Sequence, residues 1–183
     1  MQTKYLPIVN AAMELGVTDE NQIRYVLATV QHETNGTFQP IREAYWVRNK
    51  LIRRYGKAQG SIRFENWGRR HFKTTKSKVS YYPYYGRGYV QLTWKRNYAK
   101  FTDILIDQGY EGCDLVKYPD QALNHNIAAF ILVYGMIHGT FTGRKLSDYI
   151  NDYKVDYIGA RRIINGRDKA MHIASLAERI VID

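Results

Sequence analysis

The sequence predicts a mainly α fold in a single domain spanning residues 1–183, and three observations carry that expectation. Apolar residues recur at helical spacing in several stretches, among them residues 6–15, 23–30, 98–105 and 173–180. One region, 81–94, departs from this spacing: two glycines flank an arginine within an aromatic run, which suggests backbone packed tightly against a neighbour or a short irregular strand. No linker, internal repeat or low-complexity tract interrupts the 183 residues, a length that suits one domain with a real core.

Taken in order, Leu6, Val9, Ala12, Met13 and Leu15 share a helix face that Gly16 stops. Thr18 or Asp19 is placed to cap the next helix, with Gln22 completing a capping-box-like pair. Its stripe of Ile23, Val26, Leu27 and Val30 ends at Asn35-Gly36, which sets Glu33 on the last turn at the rim of a core. Residues 43–72 read as partly helical, with Trp46, Leu51, Ile52 and Tyr55 as anchors and Gly56, Gly60 and Gly68 as breaks. The polar segment 74–80 suits a loop or hairpin tip, and a helix resumes with Tyr98, Phe101, Ile104 and Leu105. Pro119-Asp120 is expected to open a helix apolar nearly all round (Leu123, Ile127, Phe130, Ile131, Tyr134), the central buried element. Gly139 and Gly143 bracket a loop, and short helices are expected over 146–153 and 155–164. After the Asn165-Gly166 turn, a last helix runs from about Asp168 with Ile173, Leu176, Ala177 and Ile180 on one face.

Net charge is +10, and its placement says more than its size. Arg42 to Lys78 holds twelve Lys/Arg against two Asp/Glu, while the remainder balances at fifteen of each. Such a patch attracts polyanions: nucleic acid, anionic membrane or an acidic cell wall. The single cysteine, Cys113, excludes an internal disulfide and reads as a small buried filler. No long apolar segment marks a signal peptide or a membrane span. The expectation is a protein made in the cytoplasm that needs help to reach any target beyond the inner membrane.

Two acids ten positions apart, Glu33 and Glu43, draw attention. A carboxyl at a helix C-terminus meets the negative end of the macrodipole, which disfavours its charged form. One set among arginines stays ionised. Carboxyls driven apart in this way are what glycoside hydrolysis uses. The plainer reading makes Glu33 a solvated helix-end residue and Glu43 an ion-pair partner of Arg42 or Arg48. A zinc site at His32-Glu33 would need a histidine where Gly36 stands. No metal or cofactor is expected.

With those residues in view, His32-Glu33-Thr34, Glu43, the run Gly86-Arg87-Gly88-Tyr89-Val90-Gln91-Leu92-Thr93, Asn97-Tyr98 and Ile163-Ile164-Asn165-Gly166 together resemble glycoside hydrolase family 19. The likeness is closest to its bacteriophage endolysins, with plant-type chitinases more distant. The resemblance implies a lysozyme-like domain with a substrate cleft that cuts bacterial peptidoglycan. It implies Glu33 as general acid, Glu43 as the base that activates water, and Thr93 as the hydroxyl holding that water. Gln91, Asn97 and Asn165 would bind sugar acetamido and hydroxyl groups. His32 would orient Glu33 or cap its helix, and Tyr85 and Tyr89 would be either core or sugar platform. An inverting mechanism follows for this family, with roughly 6.5–9.5 Å between carboxyls to admit the water. This sequence has one glycine after His32-Glu33 where the family often has two, and a gap to the second acid one residue longer. Glu65 therefore stands as the alternative second acid.

The reading expects a monomer acting on bacterial peptidoglycan, its Arg42–Lys78 segment attracted to anionic wall or outer-membrane polymers. Alternatives are a lytic transglycosylase, which needs one acid and no water, and a chitinase, whose neutral substrate fits the charge less well. A basic nucleic-acid module is the rival from another class. Neither a basic helix nor a nucleic-acid fold is evident, so no nucleic-acid partner is expected. The last helix carries too little positive charge to be a membrane agent.

Overall fold

The computed structural model describes residues 2–182. Its elements are α1 (Leu6–Glu14), α2 (Glu20–Glu33), β1 (Ile41–Arg42), α3 (Tyr45–Tyr55), α4 (Lys57–His71), β2 (Arg87–Gly88), α5 (Lys95–Asp107), α6 (His125–His138), β3 (Ile150–Asn151), β4 (Lys154–Val155), α7 (Tyr157–Ala160) and α8 (Ala170–Arg179), joined by short 3-10 turns. Helix dominates, and the strands form two small antiparallel pairs, as expected of a mainly α chain with a small hairpin. The chain divides into two compact units, Met1–Pro40 with His125–Asp183, and Ile41–Asn124. No helix among the described residues is long and apolar enough to cross a membrane.

In the first unit, α6 is the buried helix the composition predicts, with Ala128 to Val133, Gly135 and Met136 all buried. It does not begin at Pro119. Pro119–Leu123 forms a separate 3-10 turn, and Asn124, extended at ψ 135°, breaks it from α6. Helix α2 starts where expected: the Asp19 side chain accepts from the Asn21 and Gln22 amides, satisfying first-turn donors. The Gln22 side chain does not reciprocate but donates to the Ile150 carbonyl (2.8 Å). The helix expected over 146–153 is a 3-10 turn (Leu146–Asp148) followed by the β3–β4 hairpin. There Asn151 Oδ1 accepts from the Tyr153 amide, so an asparagine turn wins over helix. The helix expected over 155–164 is short, with α7 passing into the 3-10 turn Arg161–Ile163. Helix α8 buries Ile173, Leu176 and Ala177, the face its spacing predicts.

In the second unit, α3 and α4 form a hairpin hinged at Gly56 (φ +78°), but Gly60 and Gly68 lie inside α4 and break nothing. They are contact glycines. A Cβ on Gly60 would lie 2.5 Å from Ile52 Cα, and one on Gly68 2.8 Å from the Phe72 ring. Trp46 and Tyr55 are exposed and do not anchor α3. Ala44, Val47 and Leu51, spaced at helical intervals, face a cluster of Phe64, Phe72 and Tyr85 instead. Strand β2 pairs with β1, Ile41 opposite Gly88 and Arg42 opposite Arg87, so the irregular region is tied to the entry of α3. The 74–80 loop is closed by a single bridge between Lys73 and Ser80.

The Gly60 contact generates a prediction. Gly60→Ala forces the α3–α4 backbones apart and destabilises the protein by about 1–3 kcal/mol. Thermal unfolding reads this as a midpoint lower by several degrees, and an unshifted midpoint would contradict the close approach.

Candidate functional site

The residues singled out in the sequence fall into two clusters, one in each unit. In the first, Glu33 closes α2. Thr34 makes the exit turn: its buried hydroxyl donates to the Val30 carbonyl (2.7 Å) and accepts from the Phe38 amide (3.0 Å). Glu33 is one-quarter exposed, and its Oε1 accepts from Arg161 Nη1 at 2.8 Å. Arg161 is almost wholly buried and also donates from Nε to the Asp168 carbonyl (2.9 Å). The negative end of α2 is therefore not the nearest charge that Glu33 meets. Asn165 is exposed on its turn, with its amide donating to the Arg161 carbonyl (2.9 Å).

Around this pair, His32 packs edge-on against His172 (centroids 5.5 Å apart). Burial holds the His32 imidazole below its ordinary pKa, with the neighbouring Glu33 charge working the other way. A concavity of about 250 Å³ beside it is lined by Gln31, His32, Asn35, Gly36, His172 and Leu176. The Tyr25 hydroxyl is fully buried and has no hydrogen-bond partner among the described residues. Burial raises its pKa, an effect partly opposed by the Arg161 charge.

The second cluster is built on Glu43. Its amide donates to the Gly86 carbonyl (2.7 Å), and its Oε2 accepts from the Gly86 amide (2.7 Å). Its Oε1 accepts from the Tyr81 hydroxyl (3.0 Å). A side chain at Gly86 would displace the Gln91 amide group, since a Cβ there would lie 2.5 Å from Gln91 Oε1. Gln91 Nε2 donates to the Ile41 carbonyl (2.9 Å), which makes Gln91 a strut between the loop and β1. Thr93 Oγ1 donates to the Gln91 carbonyl (2.8 Å), and Asn97 Nδ2 to the Thr93 carbonyl (2.7 Å). Asn97, Thr93 and Gln91 thus form one hydrogen-bonded chain that ends on the Ile41 carbonyl, two residues before Glu43. Ala44, Gln91 and Trp94 around it all have positive φ without being glycine, the kind of backbone strain that concentrates at functional sites.

Several expectations are corrected. Glu43 pairs with neither Arg42 nor Arg48. Arg42 instead donates to both oxygens of Asp120 (2.9 and 2.6 Å), and Arg48 reaches Ser61 (3.4 Å). Asp120 also accepts from Arg87 Nε (2.8 Å). Burial alone would raise its pKa, but Arg42 and Arg87 outweigh it and hold the carboxyl below its ordinary range. Tyr85 and Tyr89 are core residues at 0% and 1% exposure and offer no ring face to a sugar. Glu65, the alternative acid, sits on α4 between the hydroxyls of Tyr82 (2.9 Å) and Tyr85 (3.3 Å). Arg161 and Asp120 were not singled out in the sequence. Lone arginines and aspartates carry no spacing signal, and only the fold shows what they face.

Comparison with known protein families finds no match, and neither does comparison with curated proteins.

The Tyr81–Glu43 contact is testable by titration. Burial, then the Glu43 charge and hydrogen bond, push the Tyr81 phenol from 10.0 up to about 12. A raised folded pKa means full stabilisation below pH 10, lost as the unfolded chain ionises first between 10 and about 12. Carbon-13 NMR of tyrosine rings should place Tyr81 near the upper value and move it down in Glu43→Gln. An unmoved titration in that variant would break the contact.

Proposed function

We propose that the protein is a peptidoglycan-degrading glycoside hydrolase of the endolysin type. It cuts the β-1,4 bonds between N-acetylmuramic acid and N-acetylglucosamine with inversion, for lysis of a bacterial host by a bacteriophage. The observation that carries the reading is the Glu43 carboxylate held by Tyr81 and Gly86, with a hydrogen-bonded chain running from Asn97 through Thr93 and Gln91 to the Ile41 carbonyl, two residues before Glu43. Of these, the family 19 resemblance makes Glu43 and Thr93 the water-activating pair and Gln91 and Asn97 sugar-binding residues.

In this mechanism Glu33 is the general acid. Oε1 takes the Arg161 hydrogen bond, and Oε2 carries the proton delivered to the leaving glycosidic oxygen. Glu43 is the base. Each carboxylate oxygen already accepts one hydrogen bond and keeps lone-pair capacity for a water. The Thr93 hydroxyl donates to the Gln91 carbonyl, so its lone pairs accept one proton of that water while Glu43 takes the other. The water oxygen attacks the anomeric carbon as the glycosidic bond breaks. Holding the nucleophile in place contributes through orientation as well as basicity.

Charge supports the same substrate class. Ten of the twelve cations between Arg42 and Lys78 are exposed, and both acids of that segment, Glu43 and Glu65, are hydrogen-bonded to tyrosines. This face attracts an anionic wall, whose lactyl and peptide carboxylates neutral chitin lacks, and the attraction weakens as salt rises.

The test is clearance of purified sacculi. Glu33→Gln and Glu43→Gln, both folded by circular dichroism, should each lose about 10²–10⁴-fold in rate. Full clearance by Glu33→Gln would end the reading, and clearance by Glu43→Gln with loss in Glu65→Gln would transfer the base to Glu65.

A further inference from the structure

We infer that a second, basic concavity in the first unit binds the carboxylates of the short peptides carried by the glycan; this rests on the hydrolase reading above. The concavity measures about 710 Å³ and lies between α7, the turn after it and the first turn of α8. Arg162, Arg167, Lys169 and His172 line it. None of the first three forms an ion pair among the described residues. The one acid in the lining, Asp156, caps α7, its Oδ1 accepting from the Gly159 amide at 2.7 Å. Gly159 has no room for a side chain, since a Cβ would meet Asp156 Oδ2 at 2.1 Å. That cap takes up one Asp156 oxygen and leaves the cations in excess.

The lining also selects the ligand class. Ile158 and Met171 present apolar surface at 53% and 76% exposure beside the cations. A chain of small aliphatic residues bearing carboxylates matches both features. Among the described residues no Phe, Tyr or Trp lines the concavity as a platform for a nucleobase. The positive end of the α8 dipole lies at the same place and adds to the attraction. Position fits as well. His172 lines both this concavity and the smaller one at the end of α2, and its ring packs on His32, next to Glu33. A sugar bound at Glu33 therefore has its peptide within reach of Arg162, Arg167 and Lys169.

The experiment compares glycan strands carrying their peptides with the same strands stripped by an amidase. The wild-type protein should show a KM about tenfold lower for peptide-bearing strands, the preference expected of a few charge-assisted contacts. In the combined Arg162→Gln, Arg167→Gln, Lys169→Gln variant, that ratio should fall to near unity. An undiminished ratio overturns the inference. NMR titration with a disaccharide tetrapeptide reads binding without turnover: the Met171 and His172 amides should shift in the wild type and stay still in the variant. Shifts without cleavage keep the concavity and sink the hydrolase, whereas cleavage without shifts does the reverse. Inorganic phosphate moving the same amides more strongly than the tetrapeptide would also overturn the assignment.

Discussion

Two hydrogen bonds between Glu43 and Gly86 set the geometry of the second unit. One runs from amide to carbonyl and the other from amide to carboxylate, both at 2.7 Å. The charge-assisted one is worth about 1.5–3 kcal/mol in a partly buried setting. The lack of a side chain at Gly86 lets the Gln91 side chain lie against the backbone there. With the two segments joined, β1 and β2 align and Arg42 and Arg87 project onto the same Asp120. The aromatic cluster beneath then has a fixed lid, with Arg87 over the Tyr85 ring at 3.8 Å.

The first unit secures its acid differently. Glu33 sits where α2 runs out, and a buried arginine from a distant segment holds one of its oxygens. Taking either partner away strands the other, which makes such pairs costly to break even where their net stabilisation is small. Two carboxyls held by contrasting partners, a guanidinium for one and a phenol with an amide for the other, are environments in which unlike roles can be assigned.

Much of this was legible in the sequence, for identifiable reasons. Helices α2, α5 and α8 follow apolar spacing that local burial enforces, whereas α1 buries Ile8, Val9, Ala11 and Ala12 and leaves Leu6 and Met13 of its expected face exposed. Asp19 caps α2 because its short side chain reaches the first-turn amides. The misread parts are those where tertiary contact overrides local signal. Gly60 and Gly68 look like breaks but serve close packing, and Trp46 looks like core yet stands 63% exposed. Among the candidate residues, Glu33 and Glu43 stand out by their spacing and Thr93 and Asn97 by the family resemblance. Their partners Arg161 and Tyr81 do not, since those contacts join positions 128 and 38 residues apart. Tyr85 and Tyr89 show the limit of composition, which sees a ring but not which way it faces.

If Glu43 activates water and Glu33 protonates the leaving oxygen, the newly freed sugar carries a hydroxyl on the face opposite the broken bond. Proton NMR of glycan strands during the first minutes of digestion, before mutarotation, observes this directly. The account predicts α-anomeric reducing ends from the β-linked substrate. Initial β-anomers, or anhydro ends formed without water, would contradict it.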